Sequence, residues 1–384
     1  MQRGPAGRYE VSTTGGERVD AFIPDPLPPA PPLDLSGPLQ AQVEQAALTL
    51  GRLDSISALL PDTMLFLYSY VRKEAVLSSQ IEGTQSSLSD LLLFEIEQAP
   101  GVPLDDVVEV SGYVAALEHG LMRLRGGFPI CARLIREMHA KLLERGRGST
   151  KQPGEFRRSQ NWIGGTRPGN AHFVPPPHTE VAACIAQLER FIHDETSHLP
   201  RLVRAGLVHA QFETIHPFLD GNGRIGRLLI TLLLCDYGAL AEPLLYLSLY
   251  FKEHRDEYYQ KLDQARRDGD WEAWLGFFLD GVAETADGAV ATAGDLSRLF
   301  GGDRQRLQAA GRRAGSLLRV HETLEARPLV TLTEVVARSG LSFPAASSAM
   351  EELVNLGIAS ELTGKKRNRV FAYDRYLATL AAGT

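Results

Sequence analysis

Gln211-Phe-Glu-Thr-Ile-His-Pro-Phe-Leu-Asp-Gly-Asn-Gly-Arg-Ile-Gly-Arg227 joins one predicted helix to another. Within twelve residues it carries a candidate base (His216), a carboxylate (Asp220), a Gly-Asn-Gly turn and two arginines (Arg224, Arg227). The apolar run that follows, Leu228 to Cys235, reads as a buried helix ending at Gly238. Main-chain N–H groups converging ahead of a helix N-terminus form an anion site, because orphan donors and the helix dipole both favour negative charge. Glycines at 221 and 223 let the backbone turn left-handed and come close to a phosphate. Arg224 and Arg227 lie three apart, on one side of the first helical turn. Such a connection is built to hold a polyphosphate beside a histidine. An ordinary loop capped by Asp and Asn would explain the turn but not the histidine, the carboxylate and both arginines together.

The string resembles the signature of the Fic family, His-Pro-Phe-x-Asp/Glu-Gly-Asn-Gly-Arg-x-x-Arg, and every fixed position matches. The resemblance implies transfer of AMP from ATP to a hydroxyl side chain (Ser, Thr or Tyr) of target proteins and of the enzyme itself. A hydroxyl is a poor nucleophile at neutral pH and needs a base within hydrogen-bond reach. His216, whose ordinary pKa is about 6.5, is suited to take that proton. Asp220 is placed to hold Mg²⁺, with Mn²⁺ as an alternative, against phosphate oxygens, since hard cations take carboxylate and phosphate ligands. Gly221, Asn222 and Gly223 would supply the amide nest. Arg224 would meet the phosphates from the helix start, and Arg227 the γ-phosphate, its planar fork suiting bidentate contact.

Two further segments resemble parts of the same family. Leu249 to Leu262 contains a Tyr-Tyr-x-x-Leu core, which implies that Tyr259 and Leu262 pack on the adenine; Tyr258 is equally well read as core. Arg266 stands where some relatives carry Asn. Between Pro153 and Pro177, short β-rich pieces at Trp162-Ile163 and His172-Phe173-Val174 flank a Gly/Pro/Asn turn and predict a hairpin. By resemblance this is a flap (154–177) whose Trp162, Ile163, Gly164, His172 and Phe173 would pair with an extended target segment by strand addition.

Ser78-Ser-Gln-Ile-Glu82-Gly83 resembles the family's inhibitory motif, here ahead of the catalytic core. Glu82 falls in the last turn of a helix predicted over 62–82, where a negative charge opposes the dipole by roughly 0.3–1 kcal/mol. A cation facing it would offset that cost. Arg227 is the natural partner, and pairing there would occupy the γ-phosphate's anchor. Removal of AMP or other nucleotidyl transfer on the same site is the alternative, with Glu82 orienting a water.

The bulk composition is that of an ordinary globular protein, 44% hydrophobic and 23% charged. No apolar run is long enough to cross a bilayer and the start lacks a secretory apolar segment, which predicts a cytoplasmic protein with no membrane contact. Cys131, Cys184 and Cys235 lie in apolar helical patterns without CxxC spacing and read as core residues. The net charge of −7 conceals 12 Lys+Arg against 8 Asp+Glu in residues 301–384.

Helical periodicity covers 39–54, 62–82, 104–123, 131–145, 179–194, 201–214, 225–237, 251–268 and 271–290. Pro24 to Pro32 is predicted to lie extended over the surface. The fold class is therefore all-α: a Fic-like helical core with a small β-hairpin flap, followed by a winged-helix-like tail. Residues 1–100 form an N-terminal region containing the inhibitory helix (62–83), 101–290 the catalytic core (motif 216–227), and 291–384 the tail. In the tail, a helix-turn-helix over 332–356 precedes a basic turn, Thr363 to Arg369, and a strand at Val370–Tyr373. Ser347 and Ser348 would approach DNA bases, yet the helix lacks Arg, Lys, Asn or Gln before Asn355. A protein or dimer contact is the competing reading, and a homodimer is compatible with it. A DNA-binding regulator with the body sensing nucleotide is the remaining alternative.

Overall fold

The computed structural model describes residues 3–59, 63–96, 104–365 and 367–381. The expected start of the inhibitory helix at residue 62, the boundary at 100/101 and Lys366 of the basic turn lie outside them. The chain opens with an antiparallel hairpin, β1 (Gly7–Thr14) and β2 (Glu17–Pro24), turned by Gly15 and Gly16, both at positive φ. The sequence reading placed no element ahead of Pro24, because β1 is largely exposed and shows no clean alternation.

Helices α1 (Pro38–Leu59), α2 (Thr63–Ile81), α3 (Leu88–Glu95), α4 (Leu104–Arg125) and α5 (Ala132–Leu142) follow. α3 was not expected. Ser87 and Asp90 form a reciprocal capping box that starts it, while Leu91 and Leu92 bury its inner face. After the flap segment come α6 (Val181–Ile192), α7 (Arg201–Ile215) and α8 (Asn222–Asp236). α7 is buried from Leu202 to Ile215 except at half-buried Arg204, and forms the axis of the body. The helix expected over 251–268 is divided at His254 into α9 (Ser248–Glu253) and α10 (Arg255–Asp268). α11 (Trp271–Gln308) crosses α7 closely at Gly206, whose carbonyl accepts from Trp274 Nε1 at 2.9 Å. A methyl at Gly206 would sit 2.9 Å from the Phe278 ring, so only glycine permits the approach.

α11 continues unbroken past residue 291 to Gln308, joining body and tail by helix rather than by linker. The tail contains α12 (Ala314–Ala326), β3 (Leu329–Thr331), α13 (Leu332–Ser339), α14 (Phe343–Asn355), β4 (Ser360–Glu361), β5 (Val370–Ala372) and α15 (Asp374–Ala381). Its strands pair antiparallel in the order β3-β5-β4. α13 is launched by a Thr331/Glu334 capping box and stopped by Gly340 at φ +66°. The tail packs on α2, where Tyr376 Oη donates to Ser69 Oγ at 3.0 Å. Among the described residues, no helix is long and apolar enough to cross a membrane. Cys184 is buried, and Cys131 and Cys235 are half-buried; all three are free.

Candidate active site

α7 ends where His216 adopts the left-handed conformation, φ +48°, which turns its ring out of the helix and into the loop. A non-glycine residue held there is uncommon and marks a position fixed by its surroundings. Arg157 fixes it: its Nε donates to the His216 carbonyl at 2.9 Å and its Nη2 to Pro176 O at 2.5 Å. Arg157 is buried, and burial pushes its guanidinium down to about 10. Burial likewise pushes His216 down to about 4, reinforced by Arg157 and partly offset by Glu82. The imidazole is therefore neutral at physiological pH, the state a base requires.

Asn222 does not face a ligand with its side chain. Its Oδ1 accepts from Phe218 N at 2.8 Å and its Nδ2 donates to Phe218 O at 2.9 Å, locking the loop into one turn. Its backbone amide, with those of Gly223 and Arg224, opens α8, and first-turn N–H groups have no intrahelical acceptor. Gly221 sits at φ +78°, as the turn demands. His139 braces the loop from α5. Gly154 N–H donates to its Nδ1 at 2.8 Å, so its Nε2 carries the proton and donates to Asp220 O at 3.0 Å. The same ring stacks on Phe218 with centroids 3.7 Å apart.

The two motif arginines diverge. Arg224 Nη1 donates to Glu109 Oε1 at 2.6 Å and Nη2 to Asp220 Oδ1 at 3.1 Å. Arg227 turns to α2: its Nε donates to Ser78 Oγ at 2.8 Å, and its Nη2 to Ser78 O at 2.9 Å and Glu82 Oε1 at 2.8 Å. Burial opposes the charge on Arg227, but Glu82 holds the guanidinium raised. Burial likewise opposes ionisation of Glu82, whose side chain is 32% exposed, and Arg227 keeps it below its ordinary value. A side chain at Gly223 would overlap the Glu82 carboxylate, so Glu82 lies directly over the first turn of α8.

Tyr259 is 38% exposed while Leu262 and Tyr258 are buried; Tyr258 Oη meets His209 Nε2 at 2.9 Å, as a core residue would. In the flap the expected hairpin is reduced to one bridge, Ile163 N–H to Phe173 O at 2.8 Å and Phe173 N–H to Ile163 O at 3.1 Å. Gly164 and Gly165 are both at positive φ beside it. Trp162 and His172 are exposed and Phe173 is buried. β2 supports the flap, since Phe22 N–H donates to Val174 O at 2.9 Å.

His139, Arg157 and Glu109 were not singled out from the sequence. Each acts on a residue 59 to 115 positions away, and no local pattern signals such a contact. Among the described residues, no cluster of three or more His, Cys, Asp or Glu is placed to hold a metal. Asp220 is the one motif carboxylate, partly exposed at 31% of its side chain.

Residues 129–234 match the Fic/DOC family, and residues 40–122 match the Fic/DOC family N-terminal region. The chain thus contains a Fic/DOC domain preceded by a Fic/DOC N-terminal region. It is similar to the protein adenylyltransferase Fic of Culex quinquefasciatus, 30% identical over 256 residues, which are 63% of this chain and 47% of that protein. The Drosophila yakuba protein of that name is 31% identical over 221 residues, 56% of this chain and 41% of its own length. The chain thus spans about half the length of the curated relatives it matches. A Fic family protein of Desulfovibrio desulfuricans shares the fold at TM-score 0.60 and 19% identity, covering 89% of this chain and 98% of that one. Fic-1 of C. elegans does so at TM-score 0.51 and 24% identity, covering 68% of this chain and 74% of that one.

Proposed function

We propose that this chain transfers AMP from ATP to a hydroxyl side chain of a protein, itself included, and that Glu82 restrains the reaction. The supporting observation is the neutral His216 imidazole beside the first turn of α8, with Glu82 paired to Arg227 across it. The acceptor hydroxyl would attack the α-phosphorus as a His216 ring nitrogen takes its proton. A new O–P bond forms, the bond from the α-phosphorus to the β-bridging oxygen breaks, and pyrophosphate leaves with that electron pair. Arg157 and His139 keep base and loop in register, so little reorganisation is needed at the moment of transfer.

A divalent cation fits here only as a shared ligand. Asp220 would hold Mg²⁺ or Mn²⁺ together with phosphate oxygens, the usual arrangement for a cation that keeps much of its hydration. When bound, the ion would neutralise charge on the phosphates. Tyr259 and Leu262 would flank the base, and the flap residues Trp162, Ile163, Gly164, His172 and Phe173 would align the target.

Ser78, Glu82 and Gly83 supply the restraint. Glu82→Gly is expected to raise self-labelling by radiolabelled ATP with Mg²⁺. His216→Ala in that background should lower it by about 10²–10⁴-fold, the contribution of a general base. Unchanged labelling in the double variant would overturn the assignment. Glu82 also acts on the charge of His216, a proximity that favours a second activity, AMP removal with Glu82 orienting water.

For the tail we infer a winged-helix module from its order of α12, β3, α13, α14, β4 and β5. Glu351 and Glu352 on α14 approach Arg369 and Arg313, and acidic side chains there disfavour DNA phosphates. Phosphate-driven binding weakens steeply with salt, so gel shifts at two salt concentrations separate DNA from a protein or dimer contact.

A further inference from the structure

Arg147 belongs to no part of the signature motif. It lies in the connection from α5 to the flap, between Gly146 and Gly148, both at positive φ. This bend presses the connection against the motif loop: a methyl at Gly148 would stand 2.9 Å from Asp220 Oδ2. The Arg147 side chain is 55% exposed and has two partners. Its Nη2 reaches the Glu82 carbonyl and Glu109 Oε1, each at 3.3 Å, and its Nε lies 3.3 Å from Glu109 Oε2.

The charges around the loop are unevenly satisfied. Arg224 is buried between two carboxylates, Glu109 and Asp220, so its positive charge is already compensated. Arg227 is compensated by Glu82. A triphosphate entering as Glu82 withdraws regains Arg227 but meets an Arg224 still held by Glu109. Arg147 loses the Glu82 carbonyl in the same movement. Glu109 still holds its Nε, but Arg147 is 55% exposed where Arg224 is buried, and its Nη2 is released on the side that the Glu82 carbonyl had occupied.

We propose that Arg147 is a nucleotide-binding residue, donating to the β- or γ-phosphate of ATP once the Glu82 turn withdraws. In the restrained state the same side chain caps the C-terminal end of α2, so one cation serves both positions. The inference rests on the adenylyl-transfer reading of this site. A guanidinium on a phosphate is a charge-assisted contact, and its loss should weaken affinity about tenfold or more.

The test uses full-length Glu82→Gly protein, with and without Arg147→Met, and titration calorimetry with α,β-methylene-ATP, pyrophosphate and AMP in the presence of Mg²⁺. The expected result is a loss of about tenfold or more for the triphosphate and pyrophosphate, unchanged AMP affinity, and partial recovery with Arg147→Lys. Equal weakening of AMP would assign Arg147 to holding the loop alone and overturn the proposal, as would unchanged triphosphate affinity. Absence of nucleotide binding in the Glu82→Gly parent would instead refute the adenylyl-transfer reading itself.

Discussion

His216 is kept neutral by where the fold holds it. An exposed histidine would be about half protonated near pH 6.5, whereas burial and Arg157 bring this one down to about 4. The neutral, proton-accepting form is lost as pH falls through that lower value. The acid limb of kcat/KM for the Glu82→Gly enzyme is accordingly expected below pH 5, since removing Glu82 takes away a group that raises His216. A limb at pH 6–7 in pre-steady-state labelling would show that the imidazole is solvated during the reaction. The chemical identity of His216, Asp220 and the two arginines was legible in the motif. The divergence of Arg224 and Arg227 was not, because spacing along a helix places two side chains without saying which partners they find.

Among the elements, α2 carries the proposed restraint, and its end is set by Gly83 at φ +100°. Nothing lies within 4 Å of a methyl built there, so Gly83→Ala introduces backbone strain without a clash. The left-handed conformation costs a non-glycine residue roughly 1–2 kcal/mol. That strain falls on the turn that holds Glu82 over α8. Gly83→Ala is expected to raise basal self-labelling several-fold, with Gly83→Asn intermediate because Asn tolerates this region better. Equal labelling by all three proteins would detach the turn from the restraint. Long amphipathic helices were readable because their apolar spacing repeats over several turns. The β1–β2 hairpin and α3 were not, being short and stabilised by Gly15-Gly16 and by a capping box rather than by a periodic face.

Across the whole molecule, body and tail share α11, and the tail rests on α2 through Tyr376 and Ser69. Buried carboxyls sit within this assembly. Burial raises Glu213 to about 7, against Arg227 and with Glu82, while an unfolded chain would titrate it near 4.5. A group raised in the folded state contributes stability below its unfolded value and loses that contribution as pH rises through the folded one. Glu213→Gln should therefore gain unfolding free energy relative to the natural protein between pH 5 and pH 8, by up to about 3 kcal/mol at the upper end. A constant difference in thermal unfolding across that range would refute it. Burial lowers His139 to about 4 and His209 to about 3, so their contribution has the opposite sense: it is present above about 6.5 and fades as pH falls. The amino-acid sequence alone determined the reactive loop and the helical class, because both depend on residue types at short, repeated spacings. Tertiary structure alone decided that Glu82 meets Arg227, that Glu109 holds Arg224 and that Arg157 and His139 lock the loop. Those contacts join residues 59 to 145 positions apart, and only the packing of α2, α4, α5 and α8 into one body brings them together.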